Sequence, residues 1–597
     1  MGKNIQNGSK SVADQLPQWD LSVFGFQDKA SISVAMENIA AGIKYLVKDR
    51  NKISQLEDYE LLEYIRDFES VVLSVRNLQA FASLNACTQK DNPEAVALES
   101  KVKEFVSREF VKLSFIHHEL YQIPDEKKME FLSSAKLKQY DSWLLRNLLF
   151  EPSLNEDVST IVRQLSDLAS SWPSKYDEVC SNLKFKMGNK TYSQAEIENV
   201  AYCDPNPERR KKAQKVISQE LARNGFIFTS MLNAVLKNED VEARIYDFDG
   251  ALELDALGNG MSKEDVLAVA AAVTDSYVAI SQRYYKLLAK LLKKDRLEYT
   301  DRLINPVECG KYQKYSWQEC LDTVYEAFAE FGLDVCAKAI AGNGWIDAKP
   351  AVGKKSGAFS LHSDKPFIFM NFMGDYGSVT TLMHEMGHSI HHLLLTNKVN
   401  ILNDGTTIGM SEVASEFAES LLFAKMMEKA ETNKEKLYLL IDYTERQIAS
   451  IHRQIAFSKF EERAYRERKK GELSEERFTQ IYCEEMERYL GFPLEDDAKN
   501  SWMRIGHFFD YPLYVRYYAF SGCLVNQLRK VYASGDVEKF VERYIDLLCN
   551  TGIEDYRSLL RPFKLDPDGE DFWVDAVEVI SDNIDEIERL AKEEGLL

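Results

Sequence analysis

Thr381-Leu382-Met383-His384-Glu385-Met386-Gly387-His388-Ser389-Ile390-His391-His392 is the stretch on which the reading of this chain turns. It holds four of the nine histidines and an H-E-x-x-H sequence. On a helix, residues four apart stand one turn above each other, so His384 and His388 present two imidazoles to one point. With His384 at zero on the wheel, His388 and His391 fall within about 40° on either side. Val379, Leu382, Met386, Ile390 and Leu393 gather on the opposite face. An apolar back and a histidine-lined front is the division a metal-bearing helix needs. Glu385 adjoins that front, where a carboxylate can hold a water without being a ligand. In a chain of this composition the motif is expected by chance only about 0.01 times.

Two histidines leave a tetrahedral ion short of one protein ligand. The longer H-E-x-x-H-x-x-G-x-x-H pattern fails, because His391 stands at the glycine position and Leu394 at the last histidine position. A downstream glutamate is the remaining source, and Ser411-Glu412-Val413-Ala414-Ser415-Glu416-Phe417-Ala418-Glu419 supplies it. Glu412, Glu416 and Glu419 share one helical face, which in isolation reads as a solvated surface. Beside an H-E-x-x-H helix, Glu412 is the first choice as ligand, with Glu419 and Glu416 as partners for the histidine N–H groups. A third segment, His507-Phe508-Phe509-Asp510-Tyr511-Pro512-Leu513-Tyr514-Val515-Arg516-Tyr517-Tyr518, reads either as aromatic core or as a source of hydrogen-bond donors for an oxyanion.

Around these motifs the 597 residues have the profile of a globular protein, 45% hydrophobic and 28% charged. That is long enough for several domains. The formal charge of −21 argues against a nucleic-acid backbone as ligand. Nine scattered cysteines without a C-x-x-C pair read as reduced thiols, and the polar start Met1-Gly2-Lys3-Asn4-Ile5-Gln6 does not read as a secretory signal. The longest apolar run, Val266 to Val273, is far short of a membrane span. A cytoplasmic location is therefore expected. Helical periodicity recurs near 32–50, 58–86, 92–121, 155–172, 207–236, 411–430, 434–469 and 536–549, and Ser262-x-x-Asp265 reads as a capping box. Phe367 to Asn371, behind Pro366 and a Gly/Ser/Lys loop at 353–357, is the best strand. The fold expected is mainly α with a small sheet beside the metal-bearing helix. A division near Asn189-Lys190 gives an N-terminal helical domain, 1–190, and a catalytic domain, 191–597.

The sequence resembles the thimet-oligopeptidase-like family of zinc metallopeptidases, and within it the oligoendopeptidase F group. The likeness rests on His384-Glu385-Met386-Gly387-His388-Ser389-Ile390-His391, on Glu412-Val413-Ala414-Ser415 and on His507…Tyr514…Tyr518-Ala519. Trp19-Asp20-Leu21, Asn206-Pro207-Glu208-Arg209-Arg210, Asn259-Gly260 and Ser356-Gly357-Ala358-Phe359-Ser360 extend it in order over most of the chain. Arg516, Tyr517 and Glu416 depart from the family's usual residues.

The resemblance implies a helical ellipsoid with a deep channel, a catalytic domain of the gluzincin type, and one zinc ion at the channel floor. It implies His384, His388 and Glu412 as zinc ligands, Glu385 as general base, and His507, Tyr514 and Tyr518 as substrate and transition-state contacts. Short unstructured peptides are then the substrates, cut internally, with neither nucleic acid nor membrane as partner. Phe367 to Asn371 is expected to be the edge on which the peptide backbone pairs. Exopeptidase action by the same chemistry and a non-catalytic peptide-binding scaffold are the competing readings. The Gly-x-Met-Glu-Asn sequence of zinc aminopeptidases is absent.

Overall fold

The computed structural model describes residues 16–597 apart from 170, 313, 352, 353, 356 and 536, with several side chains between 163 and 174 also outside the described set. The polar start at Met1–Gln6, Gly353 of the loop before the sheet, and Ser356 of the Ser356–Ser360 motif lie outside it. Among the described residues the fold is mainly helical with two small sheets. The amphipathic stretches become helices such as Lys29–Val47, Asp58–Cys87, Pro93–Phe110 and Val537–Asn550. The stretch at 434–469 runs as Asn433–Ile448, a π-helical turn Ala449–Arg453, and Gln454–Arg468.

Local chemistry sets the helix starts. Ser262 and Asp265 cap each other reciprocally at 3.1 and 2.8 Å. Asn206 caps a helix with Pro207 as its first residue, where a missing N–H costs nothing. One turn into that helix, Arg210 pairs with the buried Asp301 at 2.6 Å, which ties the helix to the 299–302 segment.

Apolar burial divides into two cores. The smaller runs from Ile32 to Leu148 and the larger from Tyr176 to Ala591. The segment 19–24 joins the smaller core to residues 367–369, with Phe24 packed 6.1 Å from Phe81 and 5.2 Å from Phe367. Arg76 also reaches across, forming an ion pair with the largely buried Asp404. The first sheet is a hairpin, β1 (Phe185–Met187) with β2 (Lys190–Tyr192), turning at Gly188 with φ +64°.

The second sheet holds β3 (Ile346–Asp347), β4 (Phe359–His362) and β5 (Pro366–Phe369) in the order β3-β5-β4. β5 pairs parallel with β3 and antiparallel with β4, so both of its edges are taken. That corrects the sequence expectation for Phe367 to Asn371. The free edge beside the metal-bearing helix belongs to β4, because β5 is buried on both faces as a central strand must be.

Candidate metal centre and active site

The H-E-x-x-H motif lies in the middle of a helix from Tyr376 to Lys398. Gly374, at φ +77°, turns the chain into Asp375, whose carboxylate accepts from the Ser378 amide at 2.8 Å and caps the helix. Val379, Leu382, Met386 and Ile390 are buried against the larger core, as the apolar face of the wheel requires. The next helix, Ile408–Glu428, is capped by Thr407 and positioned by Asn259, whose side-chain oxygen accepts from the Ile408 amide at 3.2 Å. The two helices cross in close contact because residue 387 is glycine. A Cβ there would meet the Ala414 carbonyl oxygen and Ser415 Cα at 2.8 Å each.

This crossing brings His384, His388 and Glu412 together, with one ligand atom from each within 4.8 Å of the others. His384 Nε2 lies 3.4 Å from Glu412 Oε2 and His388 Nε2 lies 3.5 Å from it. A tetrahedral ion with bonds of about 2.0–2.1 Å needs ligand atoms about 3.3–3.4 Å apart. The donor set therefore fits such an ion in both type and spacing.

The opposite ring nitrogens are held as well. His384 Nδ1 is 2.7 Å from Glu419 Oε1; the carboxylate can only accept, so Nδ1 carries the proton and Nε2 faces Glu412. His388 Nδ1 is 3.2 Å from Ser411 Oγ. Ser415 Oγ donates to Glu412 Oε2 at 2.9 Å. Neither serine was singled out in the sequence, although Ser411 directly precedes the glutamate by one residue and Ser415 follows one turn later.

Burial by itself pushes Glu412 up, but the facing His388 and His384 more than offset it and hold the carboxyl well below its usual range. Burial likewise disfavours a charged His384, yet Glu412 and Glu419 raise it well above the usual imidazole value. Such a concentration of buried acceptors is costly without a cation among them. Glu385 is buried, which pushes its carboxyl up, and its Oε2 has no hydrogen-bond partner. Glu416 is also pushed well up by burial and accepts hydrogen bonds from Ser450 and Ser521. It faces the packing between helices, while Glu419 reaches His384.

Glu412 Oε1, the oxygen turned away from the imidazoles, accepts from the Tyr514 hydroxyl at 2.6 Å. Tyr518 stands one turn further along the Arg516–Ser534 helix, its ring 5.3 Å from that of Tyr514 and its hydroxyl 3.5 Å from His507 Nε2. Burial lowers the pKa of His507, with the Glu412 charge opposing it. Tyr517 points elsewhere, donating to Asp255 Oδ2 at 2.7 Å. His391, on the histidine side of the wheel, turns away to Thr551 at 2.7 Å, and His392 stacks on His362 with ring centroids 4.4 Å apart.

A helix-borne H-E-x-x-H joined by a glutamate from the following helix defines a metallopeptidase, and the fold belongs to the oligopeptidase class. Residues 200–579 match the model of peptidase family M3, and the chain belongs to that family. It is 24% identical over 567 residues to oligopeptidase PepF of Bacillus subtilis, covering 92% of this chain and 83% of that protein. An oligoendopeptidase F homolog of Lactococcus lactis is 24% identical over 601 residues, covering 96% and 97% respectively. The crystal structure of oligoendopeptidase-F from Enterococcus faecium superposes with a TM-score of 0.72 at 18% identity, over 94% of this chain and 99% of that one. Members of the family are metal-dependent peptidases, so the substrates are peptides. Among the described residues no helix is long and apolar enough to cross a membrane.

Proposed function

We propose that the protein is a zinc-dependent oligoendopeptidase that hydrolyses internal bonds of short, unstructured peptides. The observation that carries this reading is the convergence of His384, His388 and Glu412 beside the buried, unpartnered Glu385 carboxylate oxygen. Zinc held by those three residues would supply a Lewis acid that polarises the scissile carbonyl and makes water a stronger nucleophile. Imidazole and carboxylate donors also suit cobalt or manganese, and zinc is the ion preferred here.

Glu385 takes the proton of the attacking water and delivers it to the leaving amine, a role for which a carboxyl with a raised pKa is suited. Tyr514 exchanges its bond to Glu412 for one to the developing oxyanion, and His507 with Tyr518 completes the set of donors. The free edge of β4 offers backbone groups for the peptide to pair with. The helical part built on the smaller core, Ile32 to Leu148, narrows access to the catalytic part in this reading and leaves a channel for short peptides. Nine free cysteines accord with a cytoplasmic setting.

The test is mass spectrometry of a peptide blocked at both ends, incubated with the protein, with protein plus chelator, and with zinc restored. Internal cleavage that chelator abolishes and zinc returns is expected. Trimming of only an unblocked peptide would replace the endopeptidase reading with an exopeptidase one, and binding without cleavage would make the protein a scaffold. Glu385→Gln is expected to lower kcat about 10²–10⁴-fold while keeping its metal. Wild-type turnover in that variant would remove Glu385 from the mechanism.

A further inference from the structure

The segment that delivers Tyr514 contains a backbone conformation that L residues seldom take. Leu513, the residue before it, has φ +66° and is buried. Such a conformation persists only where the surroundings over-determine it. Here both of its backbone polar groups are gripped by buried polar side chains, Glu461 and Arg516. The Leu513 amide donates to Glu461 Oε1 at 2.8 Å, and the Leu513 carbonyl accepts from Arg516 Nε at 2.8 Å. Glu461 comes from the Gln454–Arg468 helix, remote in sequence, and is 2% exposed. Arg516 opens the tyrosine helix and is also 2% exposed, and its two terminal guanidinium nitrogens have no hydrogen-bond partner.

One turn on, Tyr517 is anchored to Asp255, so Tyr514 and Tyr518 are left on the side of the metal centre.

We propose that Glu461 and Arg516 form a clamp on the Leu513 peptide groups that fixes where the Tyr514 hydroxyl stands, making them positioning residues for peptide hydrolysis. The inference rests on the reading of Tyr514 as an oxyanion donor. Neither residue touches substrate. The clamp holds the left-handed turn so that the phenol reaches Glu412 Oε1 in the resting enzyme and the oxyanion in the reaction. A group placed about 1 Å off its productive position can lose about a hundredfold in rate.

The test is steady-state kinetics of the full chain on an internally quenched peptide, with bound metal and melting temperature measured alongside. Glu461→Leu and Arg516→Met remove the acceptor and the donor at nearly unchanged volume. Each is expected to lower kcat about 10–100-fold with KM changed less than about twofold and metal content unaltered. Glu461→Gln and Arg516→Gln keep an acceptor and a donor at the same chain position, and are expected to stay within about threefold of wild type. Added to Tyr514→Phe, the Glu461→Leu change is expected to lower kcat by less than about twofold further.

Equal losses from Glu461→Leu with and without the Tyr514 hydroxyl would overturn the clamp, as would glutamine variants that fall as far as the apolar ones. If Tyr514→Phe alone turns over like wild type, the oxyanion role of Tyr514 fails first and the clamp's purpose with it. Should Glu461→Leu not fold, the Arg516→Met and Arg516→Gln pair decides by the same comparison.

Discussion

Replacing Gly387 with alanine sets two well-known effects against each other at the metal centre. In an exposed helix interior, alanine is favoured over glycine by about 1 kcal/mol. Gly387, however, lies where the H-E-x-x-H helix meets the Ile408–Glu428 helix. A Cβ there would fall 2.8 Å from the Ala414 carbonyl oxygen, 2.8 Å from Ser415 Cα and 3.0 Å from Ala418 Cβ. Two of these three neighbours are backbone atoms, so no rotamer change relieves the contact. The helices must separate by about 0.5 Å, and overpacking of this kind costs about 1–3 kcal/mol. The net expectation is a loss of about 0–2 kcal/mol in stability, so the gain that helix propensity alone would give is cancelled or reversed. Glu412 rides on the displaced helix within a turn of the contact, and ligand distances tolerate only about 0.2 Å. Metal affinity should therefore fall about tenfold or more. Denaturant unfolding of the metal-free chain measures the first effect, and competition with a chelator measures the second. A Gly387→Ala protein that is more stable and binds metal as tightly as wild type would refute the close-crossing argument.

Glu419→Ala removes the acceptor for His384 Nδ1 and is expected to weaken metal binding about 10–100-fold, with activity restored by added zinc; activity unchanged at limiting zinc would sink this role. Burial pushes His452 down to about 3, from an unfolded value near 6.5. With its folded value depressed, the unfolded chain binds the extra proton, so stability is full above about pH 6.5 and is lost as pH falls toward 3. The loss reaches up to about 4–5 kcal/mol in all. His452→Gln should flatten the stability slope between pH 6 and 4 by about 1.4 kcal/mol per pH unit, and an unchanged slope would show that His452 is not held neutral.

Local signals carried a good part of this structure. The apolar and histidine faces of the 376–398 helix, the Ser262–Asp265 capping box and the Asn206-Pro207 helix start depend on neighbours within a turn or two, and each folds as its spacing predicts. Glu412 could be singled out because a third ligand must come from a second helix, and Glu419 because an imidazole bound through one nitrogen needs a partner for the other. What the sequence could not convey is long-range. Whether Phe367–Phe369 is an edge or a centre depends on β3 and β4 taking opposite sides of it. His391 sits within reach of the metal-facing arc on a wheel, but Thr551, 160 residues later, draws it away. Nothing near Glu461 in sequence hints that its carboxylate holds the amide of Leu513.

These long-range contacts divide the site into a part set by backbones and a part set by side chains. Gly387 admits the Ile408–Glu428 helix. Gly409 lies where a Cβ would meet Phe520 Cδ1 at 2.6 Å, and Gly522 where one would meet Ile451 Cγ1 at 2.7 Å. Gly387 thus seats the histidine helix on the backbone of the glutamate helix, Gly409 seats the glutamate helix on Phe520 of the tyrosine helix, and Gly522 seats the tyrosine helix on Ile451 of the π-helical turn. Such seating suits a ligand triad, whose distances must be fixed before the ion arrives if binding is not to spend free energy on rearrangement. In the proposed mechanism Tyr514 has the opposite requirement, since it would leave Glu412 for an oxyanion that exists only briefly. The chain meets that requirement at Leu513, where the buried Glu461 and Arg516 side chains hold a left-handed turn. Rigidity at the crossing and controlled strain in the turn are therefore complementary, and the two sets of variants, at Gly387 and at Glu461, should separate cleanly. The first should act on metal affinity, and the second on kcat with the metal in place.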